Sequence, residues 1–361
     1  MKTYALLVVA FCFGLVPQAG AQDSLKDSLK DSLKVRELSR DFITYESKYI
    51  PVFQYWQEHN IFQHLDASLS LGTTGVGIDV SSPLGNYFQL RAGVSVMPKF
   101  HHNMNFGVQV GETRDDSKFN RLSEMLESMT GYKVNNSIDM TGEPTWSNAH
   151  VLLDVFPFKT NKHWHFTAGL FVGPSKVAKA YNTTEDMPSL MAVSMYNNMY
   201  EKAIGYYPII EFSGYSVDDP QVMIRLHDSF QNYGRMGVHV GDYVRDEYND
   251  DLELVHEKGK PYMIVPDEDG MVKVRVKTNS VRPYLGFGYG GRLVKGSDTY
   301  KVSFDCGAMF WGGTPKILTH DGTDLASDVE NIGGKVGTYV DLIKAFKVFP
   351  VLNVRITRTI F

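Results

Sequence analysis

From Tyr87 to Met97 the chain reads YFQLRAGVSVM. Phe88, Leu90, Ala92, Val94 and Val96 fall on one face and Gln89, Arg91, Gly93 and Ser95 on the other, the period of two that marks a strand with unlike sides. WHFTAGLFVG repeats it, with Trp164, Phe166, Ala168, Leu170 and Val172 opposing His165, Thr167 and Gly169. In VRPYLGFGYGG the apolar set is Val281, Leu285, Phe287 and Tyr289, against Arg282, Tyr284, Gly286 and Gly288. In YKVSFDCGAMFWG it is Tyr300, Val302, Phe304, Cys306, Ala308 and Phe310, against Lys301, Ser303, Asp305 and Gly307. The closing VLNVRITRTIF alternates Leu352, Val354, Ile356 and Ile360 with Asn353, Arg355, Thr357 and Thr359. Arg358 alone falls on the apolar face there, a placement that costs about 0–1 kcal/mol near a membrane boundary against about 2–4 at the midplane.

The first strand region changes parity. Leu65, Ala67, Leu69 and Leu71 are odd-numbered, whereas Val76, Ile78 and Val80 are even, and GlyThrThrGly (Gly72 to Gly75) lies between. Such a flip needs a bulge or a tight turn. The turn reading gives strands near 63–72, 75–83, 87–104, 147–158, 164–182, 280–293, 299–313 and 349–361, eight in all, with ten as the alternative. PLGN (Pro83 to Asn86), KTNK (Lys159 to Lys162) and KGSD (Lys295 to Asp298) supply short polar turns, while 104–146, 184–279 and 313–347 are long polar connections. Short turns at one end and long loops at the other predict an all-β fold, an antiparallel transmembrane β-barrel with partly helical outward insertions. A soluble β-sandwich shares the alternation, but would carry shorter loops at both ends.

Closure would turn one set of polar residues inward. Asp66, Asp79, Arg91, Asp154, His165, Arg282, Lys301, Asp305 and Arg355 then project into one lumen. An eight-stranded barrel has room for little more than its own side chains, so these charges must pair. Inward Gly93, Gly169, Gly286, Gly288 and Gly307 make that room, and outward Trp164, Phe166, Tyr300 and Phe310 suit the aromatic girdles of a membrane boundary. Two readings of the lumen stay open: a plugged core, or a narrow polar path.

Composition removes several classes. The net charge of -5 gives no basic field for nucleic acid, and no stretch after residue 21 is apolar for the ~18 residues a membrane helix needs. Mean hydropathy is -0.22, a value that alternating faces produce by cancellation and that leaves a barrel possible. Lys2, the apolar run from Ala5 to Val16 and the small residues Ala19 and Ala21 read as a secretory signal over 1–21, cleaved between Ala21 and Gln22. Cys12 lies inside that run, so Cys306 is left alone and no internal disulfide is expected.

Residues 22–60 differ in kind. AspSerLeuLys repeats three times from Asp23 to Lys34, spacing Leu25, Leu29 and Leu33 as on one helical face, so this segment is a short N-terminal helix ended by Pro51 or a solvated tether ahead of the barrel at 61–361. In the large insertion 184–279 and the loop before it, FNRLSEMLESM (119–129) and MPSLMAVSMYNNMYEKA (187–203) have helical spacing, and 241–278 reads as a charged, hairpin-bearing stretch. Methionine-rich helices of this kind can bind partners or pack over the barrel mouth.

No catalytic or cofactor constellation stands out. His101, His102, His150, His165, His239 and His256 lack the carboxylate or cysteine spacing a metal requires and read as surface histidines. Asp267 to Gly270 lacks the ligand ladder of a calcium loop and reads as a turn between YMIV and MVKVRVK. A nucleophile elbow, a P-loop and a dinucleotide fingerprint are missing, so an enzyme is not expected and no cofactor or metal is assigned.

GTTGVGIDVSSPLGNYFQLRAGVSVMP, LLDVFPFKTNKHWHFTAGLFVG, VRPYLGFGYGG and FPVLNVRITRTIF, in that order, resemble an uncharacterised group of outer-membrane β-barrel proteins of the Bacteroidota type. The likeness covers about half the chain. It implies an OmpA-like barrel in the bacterial outer membrane, in contact with outer-membrane lipid, and with no peptidoglycan-binding domain after the last strand. Phe361 resembles the terminal aromatic that barrel-assembly machinery recognises, and Asp-Ser-Leu resembles an O-glycosylation acceptor motif of such bacteria, which makes Ser24, Ser28 and Ser32 candidate sites. The expected function is a non-enzymatic envelope protein whose surface-exposed loops bind an extracellular ligand, partner or matrix component. A small channel and a lipid-modifying enzyme are the alternatives.

Overall fold

The structure is a computed structural model that describes residues 52–360 apart from 113, 159–160, 209–210, 213–214, 217–219, 249–251, 295 and 298. The signal segment with Ala21 and Gln22, the candidate sites Ser24, Ser28 and Ser32, and the terminal Phe361 lie outside the described residues. Eight antiparallel strands close on themselves: β1 (Asp66–Gly72), β2 (Gly75–Pro83), β3 (Phe88–Val96), β4 (Ser147–Val155), β5 (Trp164–Val172), β6 (Val281–Arg292), β7 (Tyr300–Phe310) and β8 (Val348–Thr359). β8 pairs with β7 on one side and β1 on the other, where Asp66 faces Thr359 and Gly72 faces Asn353, so no edge remains unpaired. The parity switch is a turn: Thr73 and Thr74 link β1 to β2, and Gly75 takes the left-handed φ of +94° that the tight reversal requires.

The outer face of the barrel is an apolar belt. Leu71, Ile78, Val94, Val151, Phe166, Leu170, Leu285, Phe287, Phe304 and Ile356 are all exposed, while the residues between them on each strand point inward. Ile78 leaves 62% of its surface uncovered and Leu285 57%, on strands that are otherwise regular; a lipid phase is the environment in which such a belt is stable. No described helix is long and apolar enough to cross a membrane. Arg358 is exposed on this belt beside the turn end, its guanidinium 5.8 Å from the Tyr300 ring.

Two expected strands are shorter than their pattern. β3 stops at Val96 and β5 at Val172, where Pro98 and the pair Gly173-Pro174 follow, because proline cannot donate to the ladder. The alternation beyond them belongs to a different sheet. Strands Lys316–Thr319, Lys273–Lys277, Lys176–Asn182, Ser137–Pro144 and His102–Gly107 form, in that order, a five-stranded sheet beyond the loop end of the barrel. A second sheet joins Pro261–Ile264, Met236–Tyr243 and Val329–Glu330, with Gln109–Val110 also on Met236–Tyr243. The turn at Asp267 to Gly270 exists, with the Asp269 and Met271 N–H groups donating to the Asp267 carboxylate. Its flanking strands do not pair with each other; they leave for the two different sheets.

Among the described residues there are five α-helices. α1 spans Val52–Glu58, and the helix expected before Pro51 lies outside the described residues. α2 (Asp116–Thr130) is capped by the Asp115 carboxylate, which accepts from the Ser117 and Lys118 N–H groups, and ends at Gly131. α3 (Met187–Ile204) matches the methionine-rich segment. α4 (Pro220–Tyr233) and α5 (Gly334–Ala345) were not expected. Phe119, Leu122, Leu126, Val193, Tyr196 and Phe230 from the helices meet Ile138, Met140, Val240, Tyr262 and Ile264 from the sheets in one core, separate from the barrel interior. The long insertions are therefore one folded outward domain.

Candidate functional site

The barrel interior holds most of the charged residues that the alternation turned inward. Arg91 and Arg355 face Asp154 and Asp305. The Arg91 guanidinium donates to Asp154 at 3.0 Å and lies 3.5 Å from Asp305; Arg355 lies 3.5 Å from Asp305 and 3.8 Å from Asp154. Two guanidinium groups face two carboxylates, and further donors complete the carboxylates: Thr167 Oγ1–H to Asp154 at 2.6 Å, and His165 Nε2–H to Asp305 at 2.6 Å. All six side chains are buried. Such a quartet is stable only because every charge has a partner within reach.

Close backbone makes this network possible. A Cβ on Gly288 would sit 2.3 Å from His165 Nε2, and one on Gly286 or Gly307 would meet the Tyr284 hydroxyl at 2.3 or 2.5 Å. The rings of His165 and Tyr284 thus lie directly on glycine backbone.

The remaining predicted lumen residues are distributed elsewhere. Asp79 pairs with His150, so His150 is a buried lumen residue and not the surface histidine its isolated position implied. Asp66 lies at the turn end, where it accepts from the Thr359 hydroxyl at 2.7 Å and is 3.9 Å from Lys301, whose own side chain is 41% exposed. Arg282, fully buried, sits at the loop-end rim with no carboxylate partner among the described residues. It donates to the Asn148 side-chain oxygen and the Pro174 carbonyl, each at 2.6 Å, and to Thr278 at 3.2 Å, tying β6 to the outward domain.

At that end the lumen is apolar. Leu152, Phe171, Tyr284, Met309 and Val351 fill it, and Trp146, Trp311 and Phe349 close over them, with Trp311 and Phe349 stacked at 5.4 Å and 11°. Sequence alternation missed this plug, because Leu152, Phe171, Met309 and Val351 are apolar at inward positions. The turn end is open instead: a cavity of about 750 Å³ enters there, reaching His165 and Arg355.

Among the described residues no group of three or more His, Cys, Asp or Glu is placed to hold a metal. His101 and His102 lie in the outward domain, 3.4 Å from Glu143 and 3.2 Å from the Tyr339 hydroxyl respectively. Glu143 also receives Lys179 at 2.6 Å, and this hydrogen bond holds its carboxyl below the usual value. His256 stacks on Tyr243 at 4.2 Å. His239 lines an outward cleft of about 660 Å³ together with Arg114, Asn136 and Lys335.

No protein-family model and no curated protein matches the chain. Among solved structures it is similar to the crystal structures of Acinetobacter baumannii CarO2 and CarO. The first likeness covers 83% of this chain and 99% of that one at 13% identity and a TM-score of 0.35. The second covers 82% and 97% at 14% identity and a TM-score of 0.34. The barrel is established by its own strand pairing.

Proposed function

We propose that the protein is a non-conducting bacterial outer-membrane barrel that serves as a rigid base for a folded, surface-exposed domain, which binds an extracellular ligand, partner or matrix component. The observation that carries this reading is the outward domain's own hydrophobic core, built from three separate insertions. Loops that merely joined strands would have no need of it. The exposed apolar belt and the signal-like N-terminus support a membrane location. The balanced Arg–Asp quartet and the aromatic closure above it both work against a through-path. A small channel is the competing reading, favoured only by the cavity at the turn end.

Two measurements test this. Outer-membrane fractionation with heat-modifiable gel migration reports the barrel and its location. A membrane-impermeant maleimide applied to intact cells should label Glu127→Cys on α2 and not Asn161→Cys in the β4–β5 turn. The reverse labelling, or regular single-channel steps from the purified protein in planar bilayers, would overturn the reading.

A further inference from the structure

The cavity at the turn end is chemically one-sided. Lys162, Arg292, Lys301 and Arg355 line it together with His64, His163 and His165, and Asp66 is the one carboxylate among its described lining residues. Arg355 is already committed to Asp154 and Asp305, and Asp66 is shared between the Thr359 hydroxyl, His64 at 3.6 Å and Lys301 at 3.9 Å. Lys162 forms no ion pair with a described residue; its ammonium lies 5.8 Å from the Phe156 ring. The cations crowd one another. Burial, and then Lys301, push Lys162 below the ordinary lysine value. His64 is also lowered, by burial first, with Asp66 opposing and Lys301 and Lys162 adding to the fall. Groups held in this way gain most from an anion that fills the space between them.

Size and donor geometry narrow the occupant. About 750 Å³ is in the range of pockets for small organic molecules and far exceeds a single ion. Phe88 and Phe156 line part of the wall and offer an apolar surface to a ligand body. The Gln89 amide nitrogen donates to Ser81 Oγ at 2.7 Å and lies 3.5 Å from Asp66, and His163 uses Nδ1–H on the Gly290 carbonyl at 2.6 Å, which leaves the lysine ammonium groups to meet an oxyanion. Most of the lining comes from inward positions of β1, β2, β3, β5, β6, β7 and β8 and from the turns, with Phe88 and Val302 of the outward set at the strand ends, so a ligand enters along the barrel axis.

We propose that this cavity binds a dianionic small molecule, a phosphate monoester or a dicarboxylate, between Lys162 and Lys301. This site is on the opposite end of the barrel from the outward domain and does not depend on what that domain binds. The oxyanion is the shared chemistry, and two probes separate its sources: glucose 6-phosphate and succinate.

The test is isothermal titration of the detergent-solubilised full mature chain with each probe near pH 6.5, with glucose as the neutral control. At least one dianion should bind saturably, and glucose should not. Lys162→Gln/Lys301→Gln should weaken that binding at least about tenfold. Lys133→Gln/Lys344→Gln, which removes the same charge from the outward domain, should leave it unchanged. Heat-modifiable migration shows that each variant has folded. Absence of saturable binding of both dianions up to about 10 mM overturns the proposal. So does equal weakening by the two lysine pairs, which would mean attraction by net charge alone.

Discussion

Replacing Asp154 by Asn tests whether the lumen is held by charge balance or only by shape. The amide is nearly isosteric, so packing is retained while one of two buried negative charges disappears. Arg91 loses its 3.0 Å partner, and Arg355 loses a contact at 3.8 Å. At an effective dielectric of about 20, a unit pair at 3.0 Å is attracted by roughly 5–6 kcal/mol. Part of that attraction is offset by the desolvation of both ions, which the fold has already incurred. The net loss expected from leaving Arg91 half-compensated is about 3–5 kcal/mol. Reversible urea unfolding in phospholipid vesicles, followed by heat-modifiable migration and tryptophan fluorescence, measures it. Arg91→Met in the same chain removes the uncompensated charge, so the double variant should recover a large part of the loss. A single variant within about 0.5 kcal/mol of the natural protein, or two losses that simply add, would show that the quartet does not act as a charge-balanced unit.

Three further outcomes follow from the geometry. Trp311→Ala removes a ring stacked on Phe349 and packed against Trp146, and should lower stability by about 3–5 kcal/mol in the same unfolding assay. Gly288→Ala should displace the His165 ring from Asp305 and cost about 1–3 kcal/mol; full stability would mean that the ring does not lie on the glycine. In the outward domain Glu143 has a folded-state value below its ordinary 4.5 because of Lys179, so its contribution is present above that value and is lost as pH falls through the lower, folded one. Protease resistance of the outward domain should therefore fall with acid in the region below pH 4.5, and Glu143→Gln should flatten that part of the profile.

The barrel was legible because its two faces meet different surroundings, which forces the strict alternation seen in YFQLRAGVSVM and WHFTAGLFVG. Strand ends were less so. KVAKAYN follows WHFTAGLFV with only Gly173-Pro174 to mark where the chain leaves one sheet for another. His150 was within reach of the same logic: in NAHVLLDVF it shares the parity of Asp154, with Ala149, Val151 and Leu153 on the other face. Its partner Asp79 is 71 residues away, and no local spacing announces that pair. α5 was hidden by Gly334 and Gly337, which lower helix propensity, and is held by burial of Val340 in the outward core. The aromatic closure was hidden for the opposite reason, since apolar residues at inward positions look like lapses in the pattern until Trp146, Trp311 and Phe349 are seen to cover them.

The interleaving of the outward sheet has a consequence for assembly. Its central strand, Lys176–Asn182, lies between Ser137–Pro144 from the preceding insertion and Lys273–Lys277 from later in its own, and the last insertion adds Lys316–Thr319 at the edge. No insertion contains enough of the sheet to fold by itself. The contacts between the three insertions have long sequence separation, so they are favoured once β8 closes the barrel and fixes the loop ends together. The domain is then the slowest part of the molecule to mature and its most protease-sensitive part until it does. Exchange of a single insertion would remove strands from sheets that the insertions share, so variation that preserves folding must change the three insertions in concert.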